Sequence, residues 1–419
     1  MTLTDVLSEL NITDSKPLFE DHWDESEASF PDELPRFLRP EMITNTREFG
    51  GLPADADAEL HQAARLIAES PALVHLAWHC HRLVYEHLDY EAQNLGQWPV
   101  LTGALGDLSG AFYLLIGLEA VPRMLATHEP LGIPRQVSRD TFSHYPESTR
   151  IYRDQHDGHW GVSPRTLYWL RNHVRGILYR LGRHEYMLKP FHGGLKAYRH
   201  RETRNVIALA ADGYRYAPDG FVARPDGADT WVAGLTESEG SVTGYPISPS
   251  GQAAHREVTL SLDEWELALS PGDYILEMHI PAGGNMTPEA CHESMRRALE
   301  FFPHYFPKQR FVGFACGSWI LNPEITQWYR PDSNMVLWQN ELYLFPIPSG
   351  DRSGVYFVFG VDEDVDMESA PRDTSLRRAM LDHMASGGRL IGGGMFMLLE
   401  DFKAFGSQVY REMWSAIDA

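Results

Sequence analysis

Two ionisable side chains stand two residues apart in the stretch YILEMHIPAGGNMTPEACHESMRRALEFFPHYFP, which runs from Tyr274 to Pro307. The first six residues read as a strand, whose side chains alternate in direction, so Ile275, Glu277 and His279 share one face and Leu276, Met278 and Ile280 line the other. A carboxylate half-buried beside an imidazole has its proton affinity set by desolvation and by its neighbour, the usual way a general base is made. Glu277 or His279 can therefore take a proton from an attacking nucleophile. The plain structural alternative is that Glu277 pairs with a Lys or Arg of an adjacent strand while His279 bonds a backbone carbonyl.

Directly after Ile280 and Pro281 comes the turn Ala282, Gly283, Gly284, Asn285, and then Thr287 as the cap of a helix with Pro288 at its first position and Glu289 in its first turn. Unpaired amides at such a place suit an anionic group such as a phosphate. A second glycine cluster, Gly392 to Gly394 near Arg389, reads as a flexible turn. Cys316, with Ser318 after it, ends another apolar strand and reads as a packed thiol; Tyr329 and Tyr343 are available as acids for a leaving group. His75 and His79 have the i, i+4 spacing of a two-histidine zinc face with Glu86 beside them. No HExxH pattern accompanies them, and with Arg82 on the same side they read as solvated surface, so no metal is expected.

These residues need a scaffold. At 419 residues, with 43% hydrophobic and 22% charged residues, the chain is that of an ordinary folded protein of about two domains. No uninterrupted apolar run reaches the roughly 18 residues of a membrane span, and MTLTDVLSEL lacks the basic start of a secretion signal. The expected address is the cytoplasm, away from membranes, with the three cysteines reduced. A formal charge of −22 argues against nucleic acid as a partner. Residues 165–204 are the exception, with ten Lys/Arg against two Glu, a band that suits a small polyanion.

Residues 1 to about 57 read as an acidic, proline-bearing arm with short helical pieces at best. Helical periodicity follows, with a buried stripe of Leu73, Leu76, Ala77, Cys80, Leu83, Val84 and Leu88. A basic helix is expected over Ser163–Leu181. Beyond it come short β segments, a capping box from Ser261 to Glu264 opening a helix over WELAL, the strand–turn–helix unit above, and an apolar strand RFVGFACGSWIL parallel to the first. SNMVLWQNEL is an ambiguous helix, GVYFVFGV a strand and DTSLRRAMLDHMASGG a capped helix. The domain boundary is expected near Gly161, giving units 1–161 and 162–419. The class is α+β, with a mixed sheet rather than a doubly wound parallel one.

The motifs LYRLGRHEY, VTGYPI, GDYILEMHIPAGGNMTPEACHESMRRALEFFPHYFP, FACGSWIL, SNMVLWQ and DTSLRRAM resemble a bacterial group of acyltransferase domain-containing proteins, which join a helical N-acyltransferase N-terminal domain to a GNAT-like C-terminal domain. The likeness is strongest from about Tyr179 to Leu381. It implies a helical domain packed on a mainly antiparallel sheet flanked by helices, and transfer of an acyl group from acetyl-CoA or another acyl-CoA to a small-molecule or peptide amine. The substrate cleft is then expected where the halves meet, with Arg175 or Arg180 of the basic helix reaching a nucleotide phosphate. GNAT enzymes usually carry a Q/R-x-x-G-x-G/A pyrophosphate loop; Ala282 to Asn285 stand in its place here. A non-catalytic binding or scaffold role, and less so a metal-dependent hydrolase, are the other readings.

Overall fold

The apolar stripe is realised in α1, Pro71–Tyr85, which opens with the Ser70 hydroxyl accepting from the Leu73 amide and buries Leu73, Leu76, Ala77, Cys80, Leu83 and Val84. Leu88 lies beyond its end and is 46% exposed. The polar side of α1 is covered too. The segment expected as an arm supplies the helices Leu3–Glu9 and Trp23–Ala28, which pack on α1 and bury Leu3, Val6, Leu7 and Trp23. His79 is thereby sealed, its Nδ1 2.8 Å from the Ser26 hydroxyl, and His75 pairs with Glu27 at 2.6 Å. The face read as solvated is an interface, because short amphipathic helices need a second surface to hold them.

Every residue of α2, Ser109–Leu118, is buried. It lies within the helical stretch Thr102–Leu131, which is long and apolar enough to cross a membrane and whose most apolar window is 83% buried inside the protein.

The basic helix is shorter than its periodicity suggested. It ends at Val174 as α3, Leu167–Val174, because Gly176 turns left-handed at φ +60° and Leu178–Leu181 is extended. Arg171 on α3 is 4% exposed. Its guanidinium donates to the carbonyls of Leu83, Val84 and Tyr90 at 2.5–3.1 Å, closing the carboxyl end of α1. That attachment keeps α3 with the helices, so the two compact units are Met1–Leu181 and Gly182–Ala419 rather than divided near Gly161. The computed structural model describes residues 1–361 and 365–418.

In the second unit, five strands run in the order β1 (His184–Pro190), β2 (Tyr274–His279), β3 (Gly313–Ser318), β5 (Gly393–Leu398) and β4 (Tyr343–Pro346). Only β2 and β3 are parallel to each other; the other neighbours are antiparallel. The crossover from β2 to β3 is α4, Pro288–Tyr305, capped by the Thr287 hydroxyl, which accepts from Ala290. SNMVLWQN forms α5, Asn334–Asn340, and DTSLRRAMLDHMA gives α6, Ser375–Ala385. A second sheet holds Leu195–His200, Val206–Ala210, Pro246–Ser248, Gln252–Ala253 and Trp265–Leu269.

Three local expectations are corrected. WELAL is a strand paired antiparallel with Leu195–His200, since a five-residue helix has too few internal bonds to compete with a full ladder. Val355–Phe359 is a helical turn bracketed by Gly354 and Gly360 at φ +88° and +75°. Gly393 and Gly394 belong to the central strand β5 and not to a flexible turn; a Cβ at Gly393 would stand 2.0 Å from the Leu321 carbonyl oxygen. Arg389 is held by Asp351 at 2.7 Å.

The first unit buries several histidines in neutral form. Burial pushes His79 down to about 3, and His128 and His173 to about 4, with His81 also well below its ordinary value. Protonation on unfolding then favours the unfolded chain below the ordinary histidine value of 6.5. Stability of this unit is expected to be complete above that value and to fall by about 1.4 kcal/mol per pH unit for each such histidine as the solution is acidified. Urea unfolding followed by far-ultraviolet dichroism from pH 8 down to about pH 4 measures this, and a flat profile would refute it.

Candidate active site

Strands β2 and β3 touch for only two registered pairs, Leu276 with Phe314 and Glu277 with Ala315. Each then follows its outer neighbour. β2 stays with β1 to the pair His279–Glu185, and β3 stays with β5 to the pair Ser318–Gly393. The sheet therefore opens as a wedge at the carboxyl ends of its two parallel strands, the end at which open α/β sheets receive ligands.

At the mouth of the wedge lies a cavity of about 420 Å³. Its walls are the loop Ile280–Met286, Arg183, Trp319 and Ile320, Tyr329, and Ser333 to Met335. Of the loop residues singled out from sequence, Ile280, Ala282, Gly283, Gly284 and Asn285 all line it. Gly283 and Gly284 are both left-handed, at φ +75° and +71°, which glycine adopts without strain. Two successive left-handed residues turn the chain sharply and leave Ala282 to Asn285 exposed. Among the described residues, the amides of this exposed segment have no backbone partner. The turn is pinned at its start by Arg183, whose Nη1 donates to the Pro281 carbonyl at 2.9 Å. Arg183 is the charged residue of the lining. Ser333 adds a buried hydroxyl without a hydrogen-bond partner among the described residues.

Thr287 lies just outside the lining, where its hydroxyl is occupied as the α4 cap. Arg175 and Arg180 belong to the first unit. Arg175 follows the end of α3, and the Arg180 guanidinium donates to the Ser143 hydroxyl at 2.8 Å.

Glu277 and His279 sit on the strand that delivers Ile280 to the cavity. They project from one face of β2, and the Glu277 Oε2 receives both His279 Nε2 at 3.0 Å and the Lys189 ammonium at 2.7 Å. Burial would raise the Glu277 carboxyl, but the hydrogen bond and charge of His279, then those of Lys189, outweigh it and bring the group down to about 2. Such a carboxylate is a weak proton acceptor at neutral pH. It orients its partners instead. The buried Glu185 stands directly across from His279 in the β1–β2 ladder.

The two tyrosines separate cleanly. Tyr343 is buried with its hydroxyl donating to the Ile247 carbonyl and accepting from the Ala208 amide, so it is occupied. Tyr329 lines the cavity, and burial raises its phenol, so it remains a proton donor at neutral pH. Cys316 is buried, and burial raises its thiol far above the ordinary value, as expected of a packed cysteine.

Sequence reasoning missed Arg183, Trp319 and Ser333. Each comes from a different connection, and the β1–β2 pairing together with the α4 crossover brings them to one loop. Arg183 carried one faint signal: it lies in the tight turn Gly182–Arg183 that opens β1, within the basic band.

Two family models match the chain: the GNAT-like C-terminal domain over residues 178–396 and the N-acyltransferase N-terminal domain over residues 43–176. No curated protein matches. Among solved structures, an acyltransferase in complex with decanoyl-CoA and teicoplanin is 22% identical over 95% of this chain and 100% of that one, with a TM-score of 0.65. An acyltransferase mutant in complex with octanoyl-CoA is likewise 22% identical over the same shares, with a TM-score of 0.64. At that identity the likeness is one of fold.

With a folded-state value of about 2 against an ordinary 4.5, the stabilisation Glu277 supplies is present above that ordinary value and is lost as pH falls towards 2. The carboxyl carbon-13 resonance of Glu277 is expected to stay flat from pH 8 to about pH 4 and to move only in stronger acid. A midpoint near neutrality would instead make Glu277 the titrating base.

Proposed function

The chain belongs to the family of proteins with a GNAT-like C-terminal domain, here preceded by an N-acyltransferase N-terminal domain, and from that premise we propose that it transfers an acyl group from acyl-CoA to the amine of a small-molecule acceptor. The observation that carries this reading is the wedge between β2 and β3, opening onto a glycine turn whose amides have no backbone partner among the described residues. A thioester arm fits such a gap as an added half-strand, while the turn and Arg183 meet the diphosphate. The acyl chain has Trp319, Ile320, Met286 and Met335 to lie against. Complexes of fold-related acyltransferases with decanoyl-CoA, octanoyl-CoA and teicoplanin support an acyl-CoA donor and a small acceptor.

In the proposed reaction the acceptor nitrogen attacks the thioester carbonyl carbon and gives its proton to His279 in the neutral imidazole form, with Glu277 kept anionic by Lys189. Glu277, anionic at neutral pH and 3.0 Å from Nε2, stabilises the imidazolium that results. The tetrahedral intermediate expels the CoA thiolate by breaking the C–S bond, and Tyr329 donates the proton the thiolate needs. The products are an amide and free CoA. Three buried, unbridged cysteines support action in the reducing cytoplasm.

Decanoyl-CoA and CoA at about 1 mM are expected to raise the melting temperature, and Arg183→Ala to weaken CoA about tenfold, the size of one charge-assisted phosphate contact. Absence of any shift for wild type would sink the donor assignment and leave a binding or scaffold role. In single-turnover acylation of an amine acceptor, His279→Ala is expected to slow the chemical step by roughly 10²–10⁴-fold with decanoyl-CoA affinity unchanged. Glu277→Gln should slow it less. Equal rates for wild type and His279→Ala would remove the imidazole from the mechanism.

A further inference from the structure

Far along the chain from the cavity-forming residues, the first unit gathers His22, His87 and Asp89 so that one donor atom from each lies within 4.8 Å of the others. Glu25 joins them, with one carboxylate oxygen 3.2 Å from His22 Nδ1 and the other 3.7 Å from His87 Nε2. The two imidazoles are stacked at 3.7 Å between centroids. His87 Nε2 is a buried atom with no hydrogen-bond partner among the described residues. His22 is held left-handed at φ +60°, which a histidine adopts only at a cost. Two imidazoles and the Asp89 carboxylate within reach of one point, with the Glu25 carboxylate beside both imidazoles, form a donor set for a borderline divalent cation. Arg82 also acts on His87 and Glu25, and the carboxylates of Glu25 and Asp89 outnumber its single charge.

We propose that His22, His87 and Asp89, with Glu25 as fourth donor or as the carboxylate that orients an imidazole, bind a divalent ion of the zinc class. The site ties the amino-terminal segment to the turn after α1. The donors come from positions 22–25 and 87–89, so a bound ion closes a loop spanning more than a third of the first unit. Tetrahedral zinc with bonds of about 2.0–2.1 Å sets its donors roughly 3.3 Å apart. The present separation closes to that by rotation of partly exposed side chains. The site is structural and independent of acyl transfer, and it differs from the His75/His79 pair, whose Nδ1 atoms are taken by Glu27 and Ser26.

The test uses the full-length protein stripped with a chelator and titrated with zinc chloride alone by calorimetry, alongside thermal melts. One equivalent is expected to bind in the micromolar range and to raise the melting temperature by several degrees. His22→Gly removes a ligand while accepting the left-handed backbone, so the metal-free variant should melt at or above the wild-type temperature yet bind zinc at least tenfold more weakly. Asp89→Asn, an exposed change, should weaken binding without affecting the metal-free fold. Cobalt(II) should give the intense visible bands of a tetrahedral site in wild type and not in His22→Gly. No binding by wild type at about 100 µM zinc, or binding unchanged in both variants, would overturn the proposal and assign any uptake to other surface histidines.

Discussion

The architecture of the candidate site depends on how little β2 and β3 hold each other. Two registered pairs join them at the base, while β1 grips β2 and β5 grips β3 along their full lengths. Strand ladders are cooperative with their neighbours, so a strand bonded on its outer edge can leave its inner partner without fraying. Because the gap is framed by paired strands, its two walls are rigid. Beyond their two registered pairs the inner edges of β2 and β3 turn backbone groups towards the gap, and the glycine turn stands at its mouth.

Electrostatics act locally in a chain whose net charge of −22 would repel a polyanion at a distance. The short-range donors at the cavity are the exposed amides of the glycine turn, Arg183, and the Ser333 hydroxyl. On the neighbouring face of β2, Glu277 serves as a hub that fixes both His279 and Lys189. Its low proton affinity follows from the same contacts. A carboxylate so well solvated by its partners is a poor base and a good anchor.

The first unit shows a different economy of polar groups. Arg171 is buried yet satisfied, since its fork meets the carbonyls that every helix leaves bare at its carboxyl end. Buried and half-buried histidines pack against aromatic rings, as in the stacks His81–Phe37, His75–Phe30 and His128–Tyr179. Part of the high histidine count is therefore spent on packing. The amino-terminal helices make this possible by closing over α1, so a segment that looked like an arm from its acidic composition is part of the core.

Local chemistry was legible where it is set by neighbours in sequence. The alternation of Glu277 and His279 on one strand face, the left-handed glycine pair, the Thr287 cap, the buried stripe of α1 and the packed cysteines all follow from backbone geometry and from side chains a few residues apart. What sequence could not decide was anything that depends on a partner distant along the chain. WELAL became a strand because Leu195–His200 offered an edge, and Gly393 entered a strand because the Leu321 carbonyl needed room. Which of two tyrosines faces the cavity, and which arginine reaches the loop, were settled by the crossover of α4 and by the turn before β1. The charge state of Glu277 is divided between the two: His279, its neighbour on the same strand face, lowers its proton affinity most, and Lys189, brought across the β1–β2 ladder, adds to that, because charges and hydrogen bonds act through space as well as along the chain.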